Sequence, residues 1–136
     1  MARKTMNIAW NDFQTQGCNT FKQLWNDEEF TDLTLATAGD QQIKVHKVIL
    51  SSCSELFKHI LLKNRHQNPL VYLKDVGHKD LEMLIQFIYL GQCEVKQEDL
   101  EQFINIGREL RISGLMENKS VEKEGKHPEV LKVDPS

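Results

Sequence analysis

The chain has 136 residues, with 17 Lys or Arg against 20 Asp or Glu, and its net charge is −3 with histidine neutral. This length fits one domain and leaves no room for a second core. The mild acidity argues against binding of nucleic acid through bulk positive charge, because phosphate affinity comes from clustered Lys and Arg. No stretch approaches the roughly 18 apolar residues that indicate a membrane-spanning helix, so we expect no membrane partner.

The compartment is predicted from the N-terminus and the cysteines. The first residues are not followed by the apolar core of a signal peptide. The three cysteines, Cys18, Cys53 and Cys93, are widely spaced and odd in number. This pattern is typical of free thiols in a reducing environment, and we expect an intracellular protein.

Two apolar elements are predicted at the start of the chain: a short strand, and a helix over about residues 14–26. Their apolar residues are Met6, Ile8 and Trp10 in the strand, and Phe21, Leu24 and Trp25 in the helix. Since no second strand follows locally, the first must pair with an edge of its own sheet or of another chain. The pair of elements indicates an obligate interface, or else a cap on the monomer's own core.

A hairpin is predicted next, from alternating apolar residues over 32–37 and 42–45. Asp32 opens its first strand, where an ionised carboxylate is costly to bury unless it is paired. Lys47, just after the second strand, is the candidate partner. The alternative is an exposed carboxylate at a strand end.

The remaining elements are predicted from helical spacing and turn signals. Residues 46–63 form two helices, with Ser54 capping the second, and residues 70–73 form a short strand. Helices follow over 81–90, ended by Gly91, and over 100–110. The order indicates a mixed α+β domain, a small sheet with helices packed on it. Residues 118–136 are polar and are predicted to form a disordered tail.

Catalytic and cofactor chemistry has little support. The five histidines lack the spacing of a metal site, and the glycines are scattered singly, without a phosphate loop. The Ser51–Ser54 run has no nucleophile elbow around it. We therefore expect no enzyme, no cofactor and no metal. The densest basic cluster, Lys58 with Lys63 and Arg65, is interpreted as a solvated helix end.

Several segments, in order and with matching spacing, resemble the BTB/POZ domain. They are Asp-Leu-Thr-Leu at 32–35, Val-His-Lys-Val-Ile-Leu at 45–50, Ser-Ser-Cys-Ser-Glu-Leu-Phe at 51–57, Leu-Ile-Gln-Phe-Ile-Tyr-Leu-Gly at 84–91 and Leu-Arg-Ile-Ser-Gly-Leu at 110–115. The resemblance implies a domain over residues 1–117. It also implies a small mixed sheet flanked by helices, with an N-terminal strand and helix used for dimerisation.

The opening Ile-Ala-Trp-Asn-Asp-Phe at 8–13 is similar to that of the insect Tramtrack-type BTB domains. This likeness implies an intertwined homodimer, association beyond the dimer, such as into a hexamer, and pairing with related BTB proteins. It also implies that Met6–Trp10 pairs with the partner's strand near Glu94–Val95. The implied dimer interface comprises Met6, Ile8, Trp10, Phe13, Phe21, Leu24, Trp25, Glu94 and Val95. Asp32 and Lys47 match the family's charged pocket, beside a groove for co-regulators.

The function implied by this resemblance is a protein–protein interaction domain of a nuclear transcription or chromatin regulator. Contact with DNA would come from a separate module. The alternative is a cullin-3 ubiquitin-ligase adaptor. Such adaptors typically carry an apolar-x-Glu motif after the third helix, whereas residues 60–65 here contain no Glu.

Overall fold

The computed structural model describes residues 3–25 and 27–116, so the predicted tail at 118–136 lies outside the described residues. The helices and strands, in chain order, are α1 (Phe13–Lys22), β1 (Leu33–Thr37), β2 (Gln41–Val45), α2 (Lys47–Cys53), α3 (Glu55–Lys63), β3 (Leu70–Tyr72), α4 (His78–Leu90) and α5 (Leu100–Glu109). Short 3-10 turns cover Gln97–Asp99 and Ser113–Leu115. No helix within these described ranges combines the length and apolar character needed to cross a membrane.

The sheet is small and mixed, in the order β2-β1-β3. Strand β1 pairs antiparallel with β2 through the predicted hairpin and parallel with β3. Alternation along β1 turns Leu33 and Leu35 into the core, where they are 2% and 0% exposed. The α+β architecture is therefore confirmed.

Helix α4 forms as the spacing of its apolar residues predicts. Leu81, Leu84 and Ile85 are buried on one face of the helix. Gly91 ends it with a φ of 81°, a left-handed conformation that favours glycine. Its N–H donates to the Phe87 carbonyl at 2.8 Å, which satisfies one of the carbonyls left free at the helix end.

The junction of α2 and α3 is fixed by Ser54. Its hydroxyl oxygen accepts from the Phe57 N–H at 3.1 Å, so the predicted helix cap is confirmed. The same hydroxyl donates to the Leu110 carbonyl, and Ser54 forms a β-bridge with Ile112. One side chain thus caps α3 and ties it to the chain that follows α5.

The N-terminal strand is not formed in the single chain. Residues 3–10 adopt no regular secondary structure and are exposed, so the strand prediction is wrong for the isolated protomer. The physical reason is that a strand needs a hydrogen-bonded neighbour. Helix α1 ends at Lys22, four residues before the predicted end; it contacts α4, and none of its residues is buried.

Candidate interaction surfaces

A cluster of exposed apolar side chains lies at the N-terminal end of the chain. We call it the N-terminal apolar surface, and it comprises Met6, Ile8, Trp10, Phe13 and Phe21. Each of these side chains is more than half exposed, from 55% for Phe13 to 90% for Ile8. The Trp10 and Phe13 rings lie 5.1 Å apart, which joins the irregular segment to α1. A concentration of large exposed apolar side chains is typical of a protein interaction site.

The other residues predicted for the interface are placed differently. Leu24 and Trp25 are half-buried and pack against the core, so they attach the end of α1 to the rest of the domain. Val95 also packs partly against the core, and Glu94 is exposed. Both lie in residues 92–96, which form no strand in the single chain.

Asp32 and Lys47 do meet, but not through their charged groups. The Asp32 Oδ1 accepts from the backbone N–H of Lys47 at 2.8 Å, at the first residue of α2. The Lys47 ammonium instead donates to the carbonyl of His66. Asp32, which lies just before β1, therefore caps α2 and leaves the Lys47 ammonium without a carboxylate.

Because Asp32 acts as a hydrogen-bond acceptor, two substitutions at this position are expected to differ in their effect on stability. Asp32→Ala is expected to lower the free energy of unfolding by about 1 kcal/mol, because it removes the acceptor for a helix-terminal N–H. Asp32→Asn keeps an oxygen acceptor and is expected to cost less than half as much. Thermal denaturation followed by circular dichroism measures both, and equal losses would contradict a capping role.

A buried network fixes the loop that precedes Asp32. The backbone N–H of His46 donates to the Tyr89 hydroxyl oxygen at 3.0 Å, and His46 Nδ1 lies 2.7 Å from the same oxygen. His46 Nε2 lies 3.0 Å from the Glu29 carbonyl oxygen. All three contacts are satisfied if the imidazole is neutral with its proton on Nε2, because the Tyr89 O–H then donates to Nδ1. His46, whose partners no sequence pattern indicated, thereby anchors the 27–32 loop.

A groove lies beside Asp32 and Lys47, between α2, α3 and the segment after α3. Its volume is about 920 Å³. We call it the basic groove, and its lining includes Lys47, Val48, Lys58, Leu61, Leu62, Arg65 and His66, with Asp32 as the one acidic residue. Lys58 and Arg65 thus belong to a concave site, which their interpretation as a solvated helix end did not predict. Lys63 does not line the groove.

Phe30 is a second feature that sequence patterns missed. It is 87% exposed and has a φ of 65°, an uncommon conformation for a bulky residue. Hydrogen bonds from both the N–H and the hydroxyl of Thr31 to the Glu28 carbonyl hold this turn. No periodic signal marks Phe30, because it belongs to neither a helix nor a strand.

The described residues were also searched for metal sites and disulfide bonds. Within residues 3–25 and 27–116, no group of three or more His, Cys, Asp or Glu side chains is placed to hold a metal ion. The cysteines are free thiols, and burial raises the pKa of Cys93 to about 11 and also raises that of Cys53.

Comparison with known proteins identifies the family. A sequence model of the BTB/POZ domain matches residues 21–124. The chain is 40% identical over 119 residues to the Longitudinals lacking protein-like of Drosophila melanogaster, covering 87% of this chain and 93% of that protein. It is 40% identical over 117 residues to the alpha isoform of Protein tramtrack from the same organism, covering 86% of this chain and 14% of that protein. It is 38% identical to the Drosophila Broad-complex core protein, covering 83% of this chain and 15% of that protein.

A solved structure agrees on the fold. The BTB domain of human Gigaxonin matches with a TM-score of 0.68 and 18% identity, covering 84% of this chain and 93% of that chain. The chain belongs to the BTB/POZ domain family, a class of protein–protein interaction domains that generally self-associate and are in general not enzymes. The predicted resemblance to the Tramtrack group is confirmed by these relatives.

Proposed function

We propose that this domain is the homodimerisation or multimerisation module of a nuclear transcription or chromatin regulator. The observation that carries the proposal is the N-terminal apolar surface, five large side chains left more than half exposed in the single chain. The similarity to the Drosophila proteins tramtrack, Broad-complex core protein and fruitless supports the nuclear part of the proposal, because it matches the resemblance to the Tramtrack-type group.

The proposed mode of association is strand pairing between two segments whose backbone groups are unpaired in the single chain. Residues 3–10 and 92–96 both lie outside any strand in the protomer, so their N–H and C=O groups lack ladder partners. Pairing Met6–Trp10 of one protomer with the segment around Glu94–Val95 of its mate would satisfy both. The same exchange would cover the side chains of the N-terminal apolar surface.

Self-association would act through multivalency. Two linked DNA-binding modules bind clustered sites more tightly than either module alone, because the second binding event becomes intramolecular. The acidic net charge of this chain supports a division of labour in which a separate module contacts the DNA. Asp32 and Lys47, on the lining of the basic groove, would form the charged pocket that meets co-regulators.

The test is light scattering coupled to size-exclusion chromatography on the full chain, over a concentration series. We expect a dimer or a larger species, and a lower mass once residues 1–12 are deleted. A monomer at every concentration would overturn the proposal. Binding of cullin-3 in a pull-down with purified proteins would favour the alternative, a ubiquitin-ligase adaptor.

A further inference from the structure

Thr5 differs from every other Ser and Thr side chain in residues 3–25 and 27–116. It alone lies outside all helices, strands, β-bridges and hydrogen-bonded turns, and it is exposed. The backbone of residues 3–9 makes no hydrogen bond to another described residue. A protein kinase must place the acceptor hydroxyl in line with the γ-phosphoryl group of ATP, so it needs an accessible segment that can extend across its surface. Thr5 meets this requirement in the folded protomer.

The other described hydroxyl side chains lie in formed elements. Thr37 and Ser54 are buried, at 2% and 1% exposure. Thr20 and Ser52 each donate to a main-chain carbonyl four residues earlier in the same helix. Thr31 is held in its turn by two hydrogen bonds. A kinase could bind these segments in an extended form only after local unfolding, which costs free energy.

Two cations precede Thr5, and an apolar residue follows it. Arg3 and Lys4 are exposed, and none of the ion pairs between described residues involves either of them. Met6, the next residue, is 83% exposed. A substrate cleft lined by carboxylates would pair with both cations, because complementary charge across an interface selects the partner. The segment therefore matches a kinase that selects basic residues immediately before the acceptor.

We propose that Thr5 is a phosphorylation site for a kinase of this kind, and that phosphorylation there prevents self-association. The inference rests on the proposed function, because it assigns a control point to the pairing of Met6–Trp10. The Thr5 Oγ attacks the γ-phosphorus of ATP, and the bond from that phosphorus to the bridging oxygen breaks. The hydroxyl proton passes to a carboxylate of the kinase, and ADP leaves.

The phosphate opposes assembly by its charge. It carries about −1.5 to −2 at pH 7, so a chain of −3 reaches about −5, and two modified copies repel each other more strongly. Thr5 directly precedes Met6–Trp10, and the segment proposed to pair with it carries the exposed Glu94. Like charges across paired strands are destabilising. The phosphate can also accept hydrogen bonds from Arg3 of its own segment, which favours a local turn over an extended strand.

The control is reciprocal. In the proposed assembly, Thr5 adjoins a strand that is already paired, so the kinase can no longer extend that segment across its own surface. If phosphorylation weakens assembly, assembly must slow phosphorylation to the extent that it withholds the segment. We therefore expect the fraction of chain modified in a fixed time to fall as the protein concentration rises.

The first test treats the full chain with purified cAMP-dependent protein kinase and ATP, and locates the phosphate by mass spectrometry. We expect one phosphate, on Thr5, and none in Thr5→Val. The double variant Arg3→Ala/Lys4→Ala is expected to be modified at least tenfold more slowly. The matched control Lys44→Ala/Lys74→Ala removes two exposed cations elsewhere and should be modified as the parent is.

The second test measures assembly by light scattering. The phosphorylated chain is expected to have an at least tenfold higher dissociation constant for self-association, and phosphatase treatment should restore the parent value. Thr5→Glu should shift the constant in the same direction by less, because it adds a single charge. The charge-matched control Gln42→Glu, at an exposed position on β2, should assemble as the parent does.

The inference is overturned if Thr5 takes up no phosphate, if other sites are modified as fast, or if the loss of Arg3 and Lys4 leaves the rate unchanged. It is also overturned if the phosphorylated chain assembles as the parent does, and this result leaves self-association intact. A parent that is a monomer at every concentration refutes self-association. Phosphorylation of Thr5 that depends on Arg3 and Lys4 in that monomer would still support the modification site.

Discussion

Phe21→Lys is expected to convert the assembled protein into monomers that remain folded. Phe21 is 58% exposed and lies in the last turn of α1, where a cation is favourable for the helix. The protomer should therefore change in stability by no more than about 0.5 kcal/mol. In a dimer that covers Phe21, the same substitution buries an unpaired charge, at a cost of roughly 3–5 kcal/mol.

The matched control is Tyr72→Lys. Tyr72 is 56% exposed, nearly the same as Phe21, but it lies on the edge strand β3, outside the N-terminal apolar surface. Lysine is common on exposed sheet edges, so folding should be unaffected. Light scattering should give a monomer for Phe21→Lys and the parent mass for Tyr72→Lys. An unchanged dimer for Phe21→Lys would remove Phe21 from the interface.

Trp25 is a poorer site for this experiment, although the sequence points to it strongly. Its side chain packs partly against the core, so an Asp at this position would destabilise the protomer itself. Loss of assembly in that variant could follow from unfolding. Phe21 avoids this ambiguity because no residue of α1 is buried.

Tyr89→Phe is expected to lower the free energy of unfolding by roughly 1–3 kcal/mol. The substitution preserves the ring and removes only the hydroxyl, which accepts from the His46 N–H and lies 2.7 Å from His46 Nδ1. Both groups are buried and would lose their partner. Tyr72→Phe, at an exposed tyrosine, is the control and should leave the unfolding transition unchanged.

The same substitution should alter the response to alkaline pH. Burial raises the pKa of Tyr89 from its usual 10 to about 12. Between these values the unfolded chain loses the proton and the folded one keeps it, so stability falls as the pH rises from 10 to 12. Tyr89→Phe should not show this part of the fall in the free energy of unfolding with pH. The part that comes from the raised pKa of Cys93 remains in both proteins. Denaturant titrations at several pH values measure the free energy of unfolding of both proteins. The same pH dependence in the parent and in Tyr89→Phe would contradict the role given to Tyr89.

Much of the local structure could be predicted from the sequence because local physics sets it. Apolar spacing places Leu81, Leu84 and Ile85 on one face of α4, and Gly91 supplies the conformation that ends the helix. Ser54 caps α3 through an N–H only three residues away. Each of these interactions lies within a few positions along the chain, where residue type and spacing carry the information.

Contacts between distant polar groups could not be predicted in this way. Tyr89 meets His46 across 43 positions, and Asp32 meets Lys47 through a backbone N–H, whereas the sequence offered either a charge pair or an exposed carboxylate. The hydrogen-bond partners of polar groups depend on distances and directions in the folded chain, and the periodicity of the sequence does not specify them. The N-terminal strand needs a hydrogen-bonded neighbour, and residues 3–10 pair with none in the single chain.

By itself, the sequence determined the α+β fold class, the α2–α5 helices, the Ser54 cap of α3, the Gly91 end of α4, the hairpin and the BTB/POZ family, because these depend on patterns among neighbouring residues. Only the tertiary structure decided that Lys47, Lys58 and Arg65 line one groove and that the Lys47 ammonium faces no carboxylate. These residues come from α2, α3 and the segment after α3. Their shared positive field arises from how those elements pack, which composition and spacing do not specify.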